Sequence, residues 1–362
     1  MDKLWNKIDE IRNGKEIPYL DVLCYKEGKE LYRYTSKGAT GKEVLAMFSM
    51  SKPITSVCAM TLVEEGKIGL DDLVEKYLPQ VKNAFILKDG KPTPVKNKMT
   101  IRNLFTMTAG FSYMTRTPSI LELKEKTQDK GNLQDFITAF VSEPLLFEPG
   151  ERFQYSLCLD VLAGVMEVVE NKKFSEIVKE RIFVPLKMDE SSFDNSITKY
   201  APYHTVNEGK IESGEVNMWP LLTPNYESGG AGLVSTVEDY MKFASTLANG
   251  GVSDDGVRII SEKALQELST SQIDKISVEN NFTCIQGSDY SYGLGVRVRK
   301  TDTEWGLNKG EFGWDGALGS FLLIDPNKKV SIVIGMHLGN WQTIFSDGHL
   351  KITEQIYREF NL

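Results

Sequence analysis

Histidine is nearly absent from this chain of 362 residues: His204, His337 and His349 are all there is. Neither H-E-x-x-H nor another His-rich zinc site is therefore available. The cysteines Cys24, Cys58, Cys158 and Cys284 are isolated and lack metal-ligand spacing. Cys58 and Cys158 fall in apolar helical patterns, where a free thiol acts as a small hydrophobe. No Gly-Lys pair is followed by Ser or Thr, which excludes a P-loop. No serine stands in G-x-S-x-G, so the nucleophile elbow of an ordinary α/β-hydrolase is missing too. No run approaches the roughly 18 apolar residues of a membrane span. Basic charge is in deficit, with 42 Lys and Arg against 50 Asp and Glu, a net charge of −8. That balance argues against non-specific binding to nucleic acid or to anionic membranes. The start, residues 1–10, reads as an amphipathic helix without a signal-peptide core, so the expected setting is soluble, reduced and cytoplasmic.

What is present is a globular composition, 41% hydrophobic and 25% charged. A chain of this size buries roughly three quarters of its unfolded surface. Tyr19–Tyr25 and Glu30–Tyr34 are β-rich runs joined as a hairpin. Helical patterns follow over Asp71–Leu78, Thr100–Met107, Leu121–Val141, Leu157–Val169 and Phe174–Phe183. The basic stretch Lys88–Lys98 reads as a solvated loop or hairpin. Ser228–Thr236 reads as a Gly-rich strand leading into a Thr-x-x-Asp helix start. Strand-like runs at Tyr292–Arg299, Gly310–Trp314, Gly319–Asp325 and Val330–His337 precede a final amphipathic helix over Asp347–Phe360. The expected fold class is α+β, an antiparallel sheet flanked by helices with a mainly helical lobe inserted. Residues 1–70 and 225–362 form the α/β domain in that reading, and 71–224 the inserted domain.

One stretch stands out. From Ala46 through Ser49-Met-Ser-Lys52-Pro53 to Val63, ending at Gly66, apolar residues fall on nearly every side, as in a helix buried in a large domain. Proline is tolerated only near a helix start, which places the N-terminus near Ser49 to Lys52. The spacing of three brings Ser49 and Lys52 onto one face. A hydroxyl at the positive end of a buried helix, beside an amine, suits an activated nucleophile. An N-capping serine beside a snorkelling lysine fits the same pattern. Ser196-Ile-Thr-Lys199 also matches S-x-x-K, but follows a polar loop.

Phe48-Ser-Met-Ser-Lys-Pro-Ile-Thr, Phe105-Thr-Met-Thr-Ala-Gly-Phe, Pro149-Gly-Glu-Arg-Phe-Gln-Tyr-Ser, Gly229-Gly-Ala-Gly-Leu-Val-Ser-Thr and Gly313-Trp-Asp-Gly occur in an order that resembles the serine β-lactamase-like proteins. That superfamily includes class C β-lactamases, DD-peptidases and family VIII carboxylesterases. The resemblance runs from about Lys3 to Phe360. It implies three catalytic motifs: Ser49 to Lys52, Tyr155-Ser-Leu157 where lactamases have Tyr-x-Asn, and Trp314-Asp-Gly316 where they have Lys-Thr-Gly or His-x-Gly. It also implies an oxyanion hole made by the backbone N–H groups of Ser49 and Ala317.

On that resemblance Ser49 attacks, Lys52 takes or holds its proton, and Tyr155 relays one to the leaving alcohol. For Lys52 to act as a base, burial must lower its pKa from ~10.4 by roughly 2–3 units. A cationic lysine would push the Tyr155 phenol down, and which of the two is the base stays open. Leu157 removes an amide recogniser, Trp314 removes a cationic anchor, and Gly316 lets substrate approach the strand. Tyr113, with the Phe111–Thr117 loop, is expected to line the pocket. These departures resemble family VIII carboxylesterases and favour small-to-medium acyl esters, turned over without cofactor or metal. The enzyme alternatives are a β-lactamase, a D-amino-acid amidase or an acyltransferase. The non-enzyme alternative is a ligand-binding sensor. The expected partner is a small-molecule ester or amide.

Overall fold

The β-rich runs from the two ends of the chain meet in one sheet. The computed structural model describes residues 19–36, 39–193, 200–208, 210–214, 223–278, 289–340 and 344–362. The expected helix at 1–10, the second S-x-x-K match at 196–199 and Cys284 lie outside the described residues. The sheet contains β1 (Leu20–Lys26), β2 (Lys29–Thr35), β3 (Tyr290–Tyr292), β4 (Arg297–Arg299), β5 (Phe312–Asp315), β6 (Phe321–Asp325) and β7 (Val330–Met336). Its strands are ordered β3-β4-β5-β6-β7-β1-β2, every neighbouring pair antiparallel. Val333 of β7 lies between Leu23 of β1 and Leu322 of β6, so the N-terminal hairpin completes a C-terminal meander.

Side-chain alternation gives the sheet two apolar faces. Leu20, Val22 and Cys24 join Ile332 and Ile334 under α4 (His349–Phe360), through Ile352, Ile356 and Tyr357. Leu23 and Val333 belong to the larger core on the other side, with α3 (Val237–Ala248). The expected Thr-x-x-Asp start of α3 is present, with the Thr236 hydroxyl accepting from the Asp239 N–H at 3.1 Å. α1 (Ser51–Glu64) runs between this layer and the helical segment, where it packs on α2 (Cys158–Glu170). Every residue of α1 from Ser51 to Leu62 is buried. No helix among the described residues is long and apolar enough to cross a membrane.

Four expected elements differ, each for a local reason. Asp71–Leu78 is not an α-helix: 3-10 turns at Val74–Lys76 and Pro79–Asn83 replace it. Pro79 opens the second turn instead of stopping a helix, because its missing N–H is harmless there. Leu121–Val141 is two helices, Pro118–Thr127 and Leu133–Val141, parted by left-handed Gln128 and Asp129. Tyr292–Arg299 is a tight hairpin, with Gly295 at φ +82° packed onto Ser56 of α1. In Ser228–Thr236 only Val234–Ser235 is strand. Its glycines serve close approach instead, since a Cβ on Gly229 would come 2.6 Å from the Leu159 carbonyl of α2.

Gly335 in β7 makes the same argument for the sheet. A Cβ there would meet Val237 Cγ2 at 2.3 Å and Leu45 Cδ1 at 2.7 Å. Gly335→Ala should therefore destabilise by roughly 1–3 kcal/mol through overpacking. The expected result is a lower urea midpoint with an unchanged slope; equal midpoints would refute this account of α3 docking.

Candidate active site

Leu45–Ala46 pairs with Val234–Ser235, and the chain then turns through a 3-10 segment, Phe48–Met50, into α1. Phe48 has φ +46°, an uncommon conformation for a bulky residue and one that neighbours must enforce. They do so from three sides. The Ala46 N–H donates to His337 Nε2 at 2.7 Å, the Tyr240 hydroxyl donates to the Met50 carbonyl at 2.7 Å, and the Leu233 N–H donates to Ser51 Oγ at 2.9 Å. His337 Nδ1 lies 3.0 Å from the Ala201 carbonyl, so Nδ1 carries the proton and Nε2 accepts. Burial holds this imidazole neutral, with its pKa pushed down to about 4.

The turn presents the half-buried Ser49 to Lys52, one helical turn along, and to Tyr155 from a distant part of the chain. Lys52 Nζ lies 3.1 Å from Ser49 Oγ and 2.7 Å from the Gly230 carbonyl. The Tyr155 hydroxyl lies 2.7 Å from Ser49 Oγ, and Trp314 Nε1 lies 3.2 Å from the Tyr155 oxygen. Tyr155 is stacked between two rings, Tyr113 at 5.4 Å and Trp314 at 5.5 Å between centroids. Tyr292 braces the far side of Trp314 edge-on at 5.2 Å.

Burial dominates the electrostatics. Lys52 has no exposed surface, and loss of water pushes its amine down to about 7, against the Asp160 carboxylate, which favours the ammonium. The Tyr155 phenol moves the opposite way from the sequence expectation. Desolvation raises it well above its ordinary value, Tyr113 and Tyr292 add to that, and the contacts with Ser49 and Trp314 only partly oppose it. The lysine amine, lowered to about 7, has already lost its proton at the alkaline pH where a phenol ionises, so it cannot pull the phenol down. Near pH 7 the site therefore holds a phenol and an amine poised between its two forms.

These states give every polar atom a consistent role. The indole N–H donates to the phenol oxygen, and the phenol O–H donates to Ser49 Oγ. With the amine neutral, the Ser49 O–H has the Lys52 lone pair as acceptor, while a Lys52 N–H donates to Gly230.

The other residues named from sequence fall as follows. Leu157 is buried, 8% exposed, and lines a small cleft of about 20 Å³ with apolar Phe111, Met114, Ile120 and Phe140 and polar Ser112, Thr117 and Glu143. Tyr113 is 41% exposed along its ring, with its hydroxyl end near enough to Ser49 to feel that hydroxyl. Trp314 is buried, and its one N–H is directed at Tyr155. Gly316 packs so closely on the turn that a Cβ would come 2.5 Å from the Met47 carbonyl, and Ala317 beside it is exposed. Two participants went unassigned: the Gly230 carbonyl and Asp160. Asp160 is the one charged residue in the otherwise apolar run Leu157–Val165, a signal that could have marked it. Among the described residues no group of three or more His, Cys, Asp or Glu side chains could hold a metal ion.

The beta-lactamase family model matches residues 6–348. The chain belongs to the beta-lactamase family. It is 27% identical over 300 residues to Protein Rv1367c of Mycobacterium tuberculosis, covering 77% of this chain and 73% of that one. It is 27% identical over 265 residues to Esterase EstB of Burkholderia gladioli, covering 64% and 66%. The fold superposes on that of EstCE1, a hydrolase with promiscuous acyltransferase activity, with a TM-score of 0.78 at 22% identity, covering 98% and 99%. The β-lactamase-like fold with its antiparallel sheet and helices is thus the family's own.

The buried amine has a consequence for stability. Between about 7 and the ordinary 10.5, the unfolded chain binds a proton at Lys52 that the folded chain does not. Folding stability must rise with pH across that window, by at most about 1.4 kcal/mol per unit from this group. Lys52→Met removes the group. Chemical unfolding at pH 6, 7, 8 and 9 should show the variant's stability advantage shrinking as pH rises above 7; a constant difference would refute it.

Proposed function

We propose that this protein is a serine hydrolase that cleaves small-to-medium acyl esters through an acyl-Ser49 intermediate. The observation that carries this reading is the meeting of Ser49 Oγ with Lys52 Nζ at 3.1 Å and the Tyr155 hydroxyl at 2.7 Å. A serine hydroxyl is a weak nucleophile until a base stands within hydrogen-bond reach. Lys52 fills that role better than Tyr155, because its amine is pushed down to about 7 while the phenol is pushed up.

In the forward step Ser49 Oγ bonds to the ester carbonyl carbon as its proton passes to Lys52 Nζ. The carbonyl oxygen becomes an oxyanion, which we assign to the backbone N–H groups of Ser49 and Ala317, each such donor being worth ~10²–10³ in rate. On collapse the carbon–alkoxy bond breaks. The alkoxide takes the Tyr155 proton, and the phenol recovers one from the Lys52 ammonium through the Ser49 oxygen region. Water then enters by the reverse sequence, releasing the acid and restoring Ser49.

The walls support an ester over a charged β-lactam. Leu157 offers a substrate amide no hydrogen bond, and Trp314 spends its single donor on Tyr155 instead of a substrate carboxylate. The exposed Met114 and Tyr113 suit an uncharged acyl or alkyl group. The 27% identity to a protein named an esterase supports the same substrate class.

Intact-mass spectrometry with p-nitrophenyl butyrate should show a butyryl adduct on the parent and none on Ser49→Ala. Turnover should fall ~10²–10⁴-fold in Tyr155→Phe. A chromogenic cephalosporin turned over faster than the ester, or an adduct that survives in Ser49→Ala, would overturn the proposal. Trp314→Phe keeps a stacked ring but loses the N–H, and should lower kcat by roughly tenfold, the worth of one hydrogen bond near 1.4 kcal/mol. An unchanged kcat would show that the indole donor plays no part.

A further inference from the structure

The hydrogen bonds that begin at Trp314 do not end at Lys52. Gly230, whose carbonyl accepts from Lys52 Nζ at 2.7 Å, also packs its backbone against the Asp160 carboxylate. A Cβ built on Gly230 would stand 2.6 Å from Asp160 Oδ2 and 3.6 Å from Lys52 Nζ, so carboxylate and amine lie within about 6 Å of each other around one glycine. The other Asp160 oxygen, Oδ1, accepts from the Tyr226 hydroxyl at 2.8 Å and from Ser228 Oγ at 2.5 Å. Asp160 is 2% exposed and touches neither Ser49 nor the open side of the site in any of these contacts.

We propose that Asp160 is a positioning residue for the general base: its carboxylate packs against the Gly230 backbone so that the Gly230 carbonyl keeps hold of one Lys52 N–H, and its charge sets the pH at which Lys52 becomes a proton acceptor. The inference rests on the reading of Lys52 as the base. The physical case has two parts. A buried carboxylate needs donors, and two of them, the Tyr226 and Ser228 hydroxyls, fix this one in place. So fixed, it fills the space against the Gly230 Cα and leaves that backbone no room to turn its carbonyl away from Lys52. That leaves the amine one acceptor for its N–H and turns its lone pair towards Ser49. Glycine is required at 230 because any side chain would enter the space the carboxylate fills.

Charge supplies the second part. The groups facing the Lys52 amine are Asp160 and Cys158 from α2, Tyr155 and Tyr113 from their loops, and Ser49 from its own turn. Burial holds Cys158 up at about 11 and raises both phenols, so all three are neutral near pH 7. Burial raises the Asp160 carboxyl as well, while Ser228, Lys52, Tyr226 and the Gly230 N–H each favour its ionised form. A negative charge here stabilises the ammonium, so its removal must shift the Lys52 titration towards acid.

The test is Asp160→Asn, which keeps the shape against Gly230 and an acceptor for Tyr226 and Ser228 and removes the charge. The midpoint of the ascending limb of kcat/KM against pH should move down by roughly one unit or more. The same shift should appear in the NMR titration of the 13Cε-labelled lysine at 52, assigned with Lys52→Met. That second readout needs no substrate, so absence of ester turnover in the parent refutes the hydrolase reading and leaves this one decided by the spectrum. A folded Asp160→Asn with both midpoints unmoved overturns the proposal, whatever happens to kcat. If Asp160→Asn does not fold, Gly230→Ala decides. Its Cβ displaces the carboxylate, and an acid shift of the lysine titration supports the clamp while an unmoved one overturns it.

Discussion

A lysine amine with no access to water, held by one backbone carbonyl, is the constraint from which the rest of this site follows. Water loss penalises the ammonium, so Lys52 is brought to the edge of neutrality within the fold. A neutral amine is satisfied by little: one N–H on Gly230 and one lone pair facing Ser49. Sealing it in requires backbone, not side chains, at its far side. The Gly229–Gly230 segment passes between α1 and α2 so closely that a methyl on either residue would strike the Leu159 carbonyl or the Asp160 carboxylate. The glycines are therefore a consequence of the buried base.

The aromatic half of the site obeys the same logic with opposite sign. Burial keeps Tyr155 a phenol, so it can donate to Ser49 and then give up a proton only when a strong base, such as a departing alkoxide, forms beside it. Its ring is clamped between Tyr113 and Trp314, and Trp314 is fixed near the end of β5, an interior strand of the continuous sheet. The loop below is tied in as well. Gln154 donates its N–H to the carbonyl of Met107, itself at φ +57°, and the Leu157 N–H reaches the Ser112 carbonyl at 3.4 Å. The cluster of Ser49, Lys52, Tyr155 and Trp314 is thus assembled from a helix start, a strand end and two loops braced against each other.

How much of this was legible in the sequence depends on the range of the signal. The Ser49–Lys52 pair is local: a spacing of three, a proline near the helix start and an apolar run behind it place both side chains on one face. Tyr155 and Trp314 carry no comparable local mark, and only the ordered motifs of the family singled them out. The Tyr155 titration was misjudged because a sequence reveals a neighbouring charge but not the water lost on folding. Gly230 stands inside a quoted motif and Asp160 inside a helical pattern, and neither carries a role in the sequence reading. A carboxylate in an apolar helix and a glycine in a turn acquire meaning only when Tyr226 and Ser228 arrive from 66 and 68 residues away. The strand boundaries failed at Gly229–Gly230 and Gly295 for a related reason. Glycine there answers to an approaching neighbour, which periodicity along one chain cannot register.

The buried amine and the left-handed Phe48 stand within four residues of each other, and both oppose folding. Such a segment persists only where the surroundings over-determine it. Here His337 on the chain just after β7, Tyr240 on α3 and Leu233 beside the glycine segment bind three different backbone or hydroxyl groups within Ala46–Ser51. Behind them α1 buries every side chain from Ser51 to Leu62. The apolar area of that helix offsets the local penalty, and the three bonds direct it to one conformation instead of several. The neutral imidazole of His337 shows the economy of this arrangement. Histidine is the usual base for an activated serine, yet here it is held neutral by burial and used to fix the turn, while the proposed reaction passes the proton to an amine that burial has brought down to about 7.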